Sequence, residues 1–401
     1  MIVRQASNNV RDSGAPPGIG TFQLGMLAIG TFTLGMDGFV LSGLLPEIAA
    51  DLRVDVAAAG QLTTMFSVAY ALGSPVIATV TGRLDRRLVL GVGMIIFLVG
   101  MIGQAVGPTY LIVAISRVLA ALGAAAFQAN AYAVAGLLAA PGRRGRALAA
   151  IAAGTTVSTV IGVPFGVLIG QWWGWRGAMW VIAGLAVLSA VVVPILPKVH
   201  LPPTSLRDRV RVLAKPNVLA ILGGTVLVLI PGFLALAYLP VIVAPVATGV
   251  VLVVLLVVRG AGQVVGNQVA GRLVDSRGAL PVILVGAAVS SAAFLILQPL
   301  THSLPAVIVI MLVIGLATGV SIVPQQHRLF AAETEAPTVA LGLNGSAIYA
   351  GAALGSGLGG LVVATLGAGW LPLAAGLAGL AALSLIWFTA PERQRGNLGR
   401  V

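Results

Sequence analysis

Apolar runs close to the ~20 residues that a membrane-crossing helix needs recur along the chain from Thr21 to Ala390. They are continuous rather than alternating every second residue, which excludes a β-barrel. Only 8% of the 401 residues are charged and 58% are hydrophobic, whereas a water-soluble domain carries roughly 25% charged residues. Too few charges remain to cover a water-facing surface, and a chain this apolar is not intrinsically disordered. The fold class is all-α and integral to the membrane.

Cutting at charges, prolines and polar turns gives twelve spans. Six lie in the first half, at 21–45, 57–80, 88–107, 109–139, 147–170 and 176–196. The second half gives 218–243, 248–270, 279–298, 304–330, 338–364 and 369–389. Residues 197–217, with Lys198, Arg207, Arg209, Arg211 and Lys215, read as a linker between bundles at 21–196 and 218–390, and 1–20 and 391–401 as polar tails. Of the 23 Lys and Arg, 19 fall on the side of the tails, the linker and alternate loops. Arg53 and Arg176 fall opposite, and Arg117 and Arg259 lie inside spans. By the positive-inside rule both termini are expected to be cytoplasmic. Topology thus accounts for the net charge of +12, and no nucleic-acid partner is expected. The polar N-terminus does not read as a cleaved signal peptide.

Two loops repeat. Gly82-Arg83-Leu84-Asp85-Arg86-Arg87 follows the second span, and Gly271-Arg272-Leu273-Val274-Asp275-Ser276-Arg277-Gly278 follows the eighth. Each closes the second span of its six, so the chain reads as a duplicated six-helix unit.

These loops resemble the signature of the major facilitator superfamily, a glycine, leucine and aspartate followed by basic residues. The second copy fits its spacing, and in the first Asp85 comes one residue early. Three further stretches resemble the drug:proton antiporter branch that holds arabinose-efflux and chloramphenicol-resistance exporters. They are Phe39 to Glu47, the run Gly154 to Gly170 with Gly162, Pro164, Gly166 and Gly170, and Gly174-Trp175-Arg176. The resemblance implies two pseudo-symmetric six-helix bundles. It makes Gly82, Arg83, Asp85, Arg86, Arg87, Gly271, Arg272, Asp275, Arg277 and Gly278 gating stations and the glycine run an antiporter hinge. Physically, glycines at 162, 166 and 170 line one helix face and let a neighbouring backbone approach, so plain helix packing is the other reading.

Asp37, Arg117 and Arg259 lie inside the hydrocarbon zone, where a charge costs several kcal/mol unless paired or wetted. Counted from Pro46 and Pro108, Asp37 and Arg117 are each roughly 14 Å deep at about 1.5 Å of rise per residue. If their spans face one another, Asp37 either exchanges the coupling proton under the influence of Arg117 or forms a permanent ion pair with it. The exporter branch carries its acid at the position of Gly38, so Asp37 is turned about 100° from it. Arg259, roughly 18 Å from the end of its span, either meets solute or bonds helix-end carbonyls or water. With Asp37 ionised, one positive charge is left over, which suits neutral or weakly anionic solutes. Gln128, Asn130 and Tyr132, with Gln263, Asn267, Asn344 and Tyr349, are candidate pocket residues or interhelical hydrogen-bonders.

The chain contains no cysteine, and His200, His302 and His327 have no metal-ligand company, so no metal site is expected. Lys198 and Lys215 are the only lysines and neither follows glycine, which removes a Walker A loop and an ATP-driven pump in cis. No zinc-protease or nucleophile-elbow motif marks an enzyme. The expected function is a proton-coupled secondary transporter working by alternating access, with efflux of small amphipathic compounds such as phenicols or sugars favoured. Proton-linked uptake or exchange of a sugar or amino acid, and a non-transporting sensor, are the alternatives. The partners are the solute, protons and the bilayer. No cofactor is needed beyond the proton gradient, a monomer is expected, and 21 Arg against 2 Lys fits a bacterial inner membrane.

Overall fold

The computed structural model describes residues 19–140, 143–199 and 206–389. Helix α1 (Thr21–Gly43) gives way to a short α2 (Leu45–Asp51) whose first turn holds Pro46. The next three helices start on side chains that satisfy free backbone N–H groups. Asp55 caps α3 (Val56–Val80), Asp85 caps α4 (Arg86–Val106) and Thr109 caps α5 (Tyr110–Leu138). Then α6 (Arg144–Val157) widens into one π turn (Ser158–Gly162) and continues as α7 (Val163–Val192) with Pro164 in its first turn. The widened turn lies where the proline removes a backbone donor and crowds the preceding turn.

Inside α7, Trp173 and Gly174 leave helical geometry and Gly174 has φ +73°. A residue without Cβ takes that conformation freely, so the fifth span ends there and the sixth begins. Eleven helical stretches are long and apolar enough to cross a membrane, and this break makes twelve spans among the described residues.

The second half follows a short α8 (Leu206–Leu213) and comprises α9 (Pro216–Leu236), α10 (Leu239–Val243), α11 (Gly249–Arg277), α12 (Ala279–Leu300), α13 (Leu304–Ala332), α14 (Pro337–Thr365) and α15 (Leu371–Thr389). Three boundaries differ from the sequence reading. The span expected at 218–243 breaks at Ala237 and Tyr238, because Pro240 cannot donate back into the preceding turn. The span expected to stop at 270 runs on to Arg277 and stops at Gly278, whose φ of 81° breaks the helix. Residues 206–213 of the linker are helical, with Asp208 in the first turn and Arg211 in the last, charges that complement the helix dipole.

In the first group of helices α1 packs on α5, α6 and α7, while α4 packs on α5 and α7 and α3 on α5. In the second, α11 packs on α13, α12 on α13 and α15, and α9 on α13, α14 and α15. The groups meet along two seams, α3 against α14 and the π turn with α7 against α11. Each seam pairs the second span of one group with the fifth of the other, the exchange that a two-fold relation requires.

Three hydrogen bonds join the two groups at the end remote from the linker. The Thr64 and Ser356 hydroxyls are 2.9 Å apart, the Tyr238 hydroxyl donates to the Ala57 carbonyl at 3.5 Å, and Gln171 donates to the Gly249 carbonyl at 3.1 Å. Tyr238 is fully buried, wedged against Gly60 and Gly360, where a Cβ on either glycine would strike its ring or hydroxyl. At the linker end Lys215 pairs with the buried Glu333 carboxylate at 2.8 Å, and that hydrogen-bonded pairing holds Glu333 below and Lys215 above their usual ranges.

The α11–α13 contact is the closest backbone approach in the second group. A Cβ on Gly262 would lie 2.6 Å from the Leu312 carbonyl oxygen, whereas one on Gly223 would meet nothing within 4 Å. Gly262→Ala is therefore expected to lower the melting temperature in detergent by an amount typical of overpacking, about 1–3 kcal/mol. Gly223→Ala should leave it level or raise it, and equal effects in a thermal-shift comparison would refute this packing.

Candidate functional site

The rotation of α1 about its axis sets the site. Gly162, Gly166 and Gly170 of the fifth span lie against Phe32, Met36, Val40 and Leu44 of α1. Gly154 meets the Ala28 carbonyl and Thr31, whose hydroxyl donates to the Ile151 carbonyl at 2.9 Å. The glycine run thus packs on α1, inside the first group and away from the second. With Met36 and Val40 turned to the glycines, Asp37 faces α5, and Phe39 faces the second group.

Asp37 and Arg117 meet at 2.7 Å with both side chains fully buried. The guanidinium also reaches the Asp37 carbonyl at 3.4 Å and the Leu62 carbonyl at 3.5 Å, and it stands 4.4 Å over the Phe66 ring. The pair therefore ties α1, α3 and α5 together. One carboxylate oxygen, Oδ2, and one guanidinium nitrogen, Nη2, have no hydrogen-bond partner among the described residues. The network is closed to water yet incompletely satisfied, a costly state for buried charge.

An aromatic ladder leads from this pair to the second group. Phe66 lies 6.4 Å from Tyr70, and Tyr70 stacks on Tyr349 of α14 with centroids 3.7 Å apart. The Tyr349 hydroxyl comes near Gly38, beside the carboxylate. The ladder thus joins the surroundings of Asp37 to the α3–α14 seam.

Beside the pair lies a central cavity walled by both groups. Phe39 of α1 and Phe233 of α9 stack at 5.6 Å on its wall. Arg259 and Gln263 of α11 enter it one turn apart, and hydroxyls come from Thr155 and Thr159 on one side and Ser290, Ser291, Thr318 and Ser321 on the other. Asp37 and Arg117 are not on the wall. A second, small cavity behind Ser321 is lined by Thr225, Gln325 and Asn344.

The remaining candidates are spread more widely. Asn344 lies 3.1 Å from the Thr225 hydroxyl, and Tyr132 stands next to Thr155. Gln128 and Asn267 are off the main cavity wall. Asn130 takes the hydrogen-bonding alternative: its amide donates to the Ala126 carbonyl at 2.6 Å and its oxygen accepts from Arg86 at 3.2 Å. Arg86 in turn donates to the Gly82 and Thr81 carbonyls at 2.7 and 3.4 Å, capping the end of α3. Asp85 accepts from the Arg87 and Val199 N–H groups, each at 3.0 Å. Arg87 donates to the Pro194 and Leu196 carbonyls. These bonds clamp the first loop to the chain leaving α7. Arg83 is exposed, and the exposed side chains of Arg272, Asp275 and Arg277 make no hydrogen bond or ion pair among the described residues, with Gly271 inside α11 and Gly278 at its end.

The hydroxyl row, Phe233 and the Tyr238 wedge were not singled out from sequence. Serine and threonine can bond to their own helix carbonyls anywhere in a span, so only the packing shows which face a cavity. At the far end Arg176 and Trp175 both donate to Asp51, at 2.9 and 3.0 Å, which makes the Gly174-Trp175-Arg176 stretch a fastening between α2 and the sixth span.

Residues 27–326 match the family model of the Major Facilitator Superfamily. The chain is 32% identical over 348 residues to the uncharacterized MFS-type transporter YbcL of Bacillus subtilis, covering 86% of this chain and 89% of that protein. It is 31% identical over 378 residues to the inner membrane transport protein YdhP of Escherichia coli, covering 92% and 95%. A chloramphenicol resistance protein of Streptomyces lividans is 36% identical over 276 residues, 65% of this chain and 70% of that one. Among solved structures, a D-xylose-proton symporter superposes with a TM-score of 0.75 at 18% identity, covering 92% of this chain and 98% of that one, a likeness of fold. With twelve apolar spans, a family model matching most of its length and relatives above 30% identity along nearly all of it, the chain belongs to the major facilitator superfamily of multi-pass membrane transporters.

Proposed function

We propose that the protein is a proton-coupled antiporter that exports small amphipathic compounds from a bacterial cell. The observation that carries this reading is the Asp37–Arg117 pair, buried at mid-depth and joined to the seam between the halves. Protonating Asp37 removes the ionic half of the 2.7 Å contact and leaves Arg117 as an uncompensated buried cation, a change of several kcal/mol. That is enough to shift a two-state equilibrium of a membrane protein. The Phe66–Tyr70–Tyr349 ladder then carries the change to α14.

The state described here is shut at the far end by the Tyr238 wedge and the Thr64–Ser356 contact. The bias of basic residues toward the linker and termini supports placing that end in the cytoplasm, so the shut end faces outward. Opening it requires α3 to part from α14. Arg83, Arg86, Arg87, Arg272 and Arg277 at the linker end, with Asp85 and Asp275, would form the latch that closes the other side. The likeness to the chloramphenicol resistance protein and the glycine run on the fifth span favour export. The cavity and the pair are built within one chain, so a monomer suffices, and the proton gradient is the energy source without a cofactor.

Two outcomes follow. In proteoliposomes with a pH-sensitive dye, addition of a transported phenicol or dye should drive proton movement, and Asp37→Asn should cut it by at least about tenfold while the protein stays folded. Unchanged proton movement would remove Asp37 from the mechanism. Because the chain has no cysteine of its own, Thr64→Cys with Ser356→Cys should form a cross-link on oxidation that stops transport and is reversed by reductant. Full transport by the cross-linked protein would contradict opening at that seam.

A further inference from the structure

Arg259 is the one charged residue on the cavity wall, and among the described residues it makes no hydrogen bond or ion pair. Among the described residues no carboxylate pairs with it. Asp37, the acid at mid-depth, is held by Arg117 at 2.7 Å. Asp275, on the same helix, is sixteen residues on, about 24 Å along the axis. Glu333 is paired with Lys215, and Asp51 with Arg176. A guanidinium at this depth costs several kcal/mol without a negative or strongly polar partner.

The surroundings of Arg259 bring polar groups but, among the described residues, no negative charge. Gln263 lies one turn along the same helix face, and Thr155, beside Tyr132, brings a hydroxyl to the wall. Ser291, Thr318 and Ser321 give their protons to their own helices, to the Ala287, Ile314 and Ala317 carbonyls. Phe39 and Phe233 supply a stacked aromatic wall with an interplanar angle of 28°. A guanidinium fork matches the two oxygens of a carboxylate, and the aromatic wall matches a flat apolar body.

We propose that the cavity binds amphipathic carboxylates, with the anionic head on Arg259 and an apolar or aromatic body against Phe39 and Phe233. This rests on the transporter reading above and sharpens its substrate class. The solute supplies the negative charge that the protein lacks, so Arg259 selects by charge and the aromatic pair selects by shape.

The test is isothermal titration of the purified full-length protein in detergent with 1-naphthoate and with its uncharged analogue 1-naphthamide. The wild type is expected to bind naphthoate at least about tenfold more tightly. Arg259→Gln should abolish that preference, weakening naphthoate binding at least about tenfold more than naphthamide binding. Arg259→Lys, which keeps the charge but not the fork, should retain part of it. Equal affinity for the two ligands, no binding of either, or a preference that survives in Arg259→Gln would overturn the proposal. Equilibrium binding needs no proton gradient. A surviving charge preference without coupled exchange would therefore sink the antiporter reading alone, and coupled exchange without charge preference would sink this one alone.

Discussion

Inside a hydrocarbon layer, the Asp37 carboxylate and the Arg117 guanidinium can both stay charged only while they touch. Their contact is 2.7 Å with no exposure on either side, and much of the first half is arranged to keep it so. The small-residue run on the fifth span holds α1 in the rotation that aims Asp37 at α5. Phe66 lies under the guanidinium and excludes water from below. The pair is also sensitive to protonation: a single proton on the carboxylate would remove the ionic attraction and leave the desolvation of Arg117 in place.

The two-fold exchange of seams gives that local event a global outlet. The α3–α14 seam carries the aromatic ladder at its middle and the Thr64–Ser356 and Tyr238 contacts at its far end. The opposite seam brings the π turn against α11, where a Cβ on Gly260 would lie 3.0 Å from the Thr159 carbonyl oxygen. On the function proposed above, solute and proton would act at different places on this interface, the solute from the cavity and the proton at Asp37. Widened turns of this kind are frequent at functional sites, and here the turn lies where a rocking half would pivot.

Much of this arrangement is legible in the sequence because membrane folding obeys few rules. Apolar run length places the spans, with the ends at Leu236 and Arg277 the largest departures, and the repeated loop marks the duplication. The matched depths of Asp37 and Arg117 anticipate that they meet. What the sequence leaves open has a physical cause. Whether a residue such as Asn130 faces a cavity or a neighbouring helix depends on rotation about the helix axis, and in a helix apolar all round no hydrophobic stripe reports that rotation. Asn130 was drawn to Arg86, which needed an acceptor once it had capped α3. The second loop copy matches the family spacing but is helical through Arg277, because only at Gly278 does the backbone take a positive φ. Tyr238 gave no signal at all, since its importance lies in the glycine slot of helices far away in sequence.

The central claim is that solute and proton are linked through Asp37. The most direct measurement is the protons released when a transported solute is mixed with the solubilised protein in weakly buffered solution containing a pH indicator. Linkage predicts release of about one proton per bound solute, and none from Asp37→Asn. Binding without proton release in the wild type, or release that persists in the variant, would contradict it.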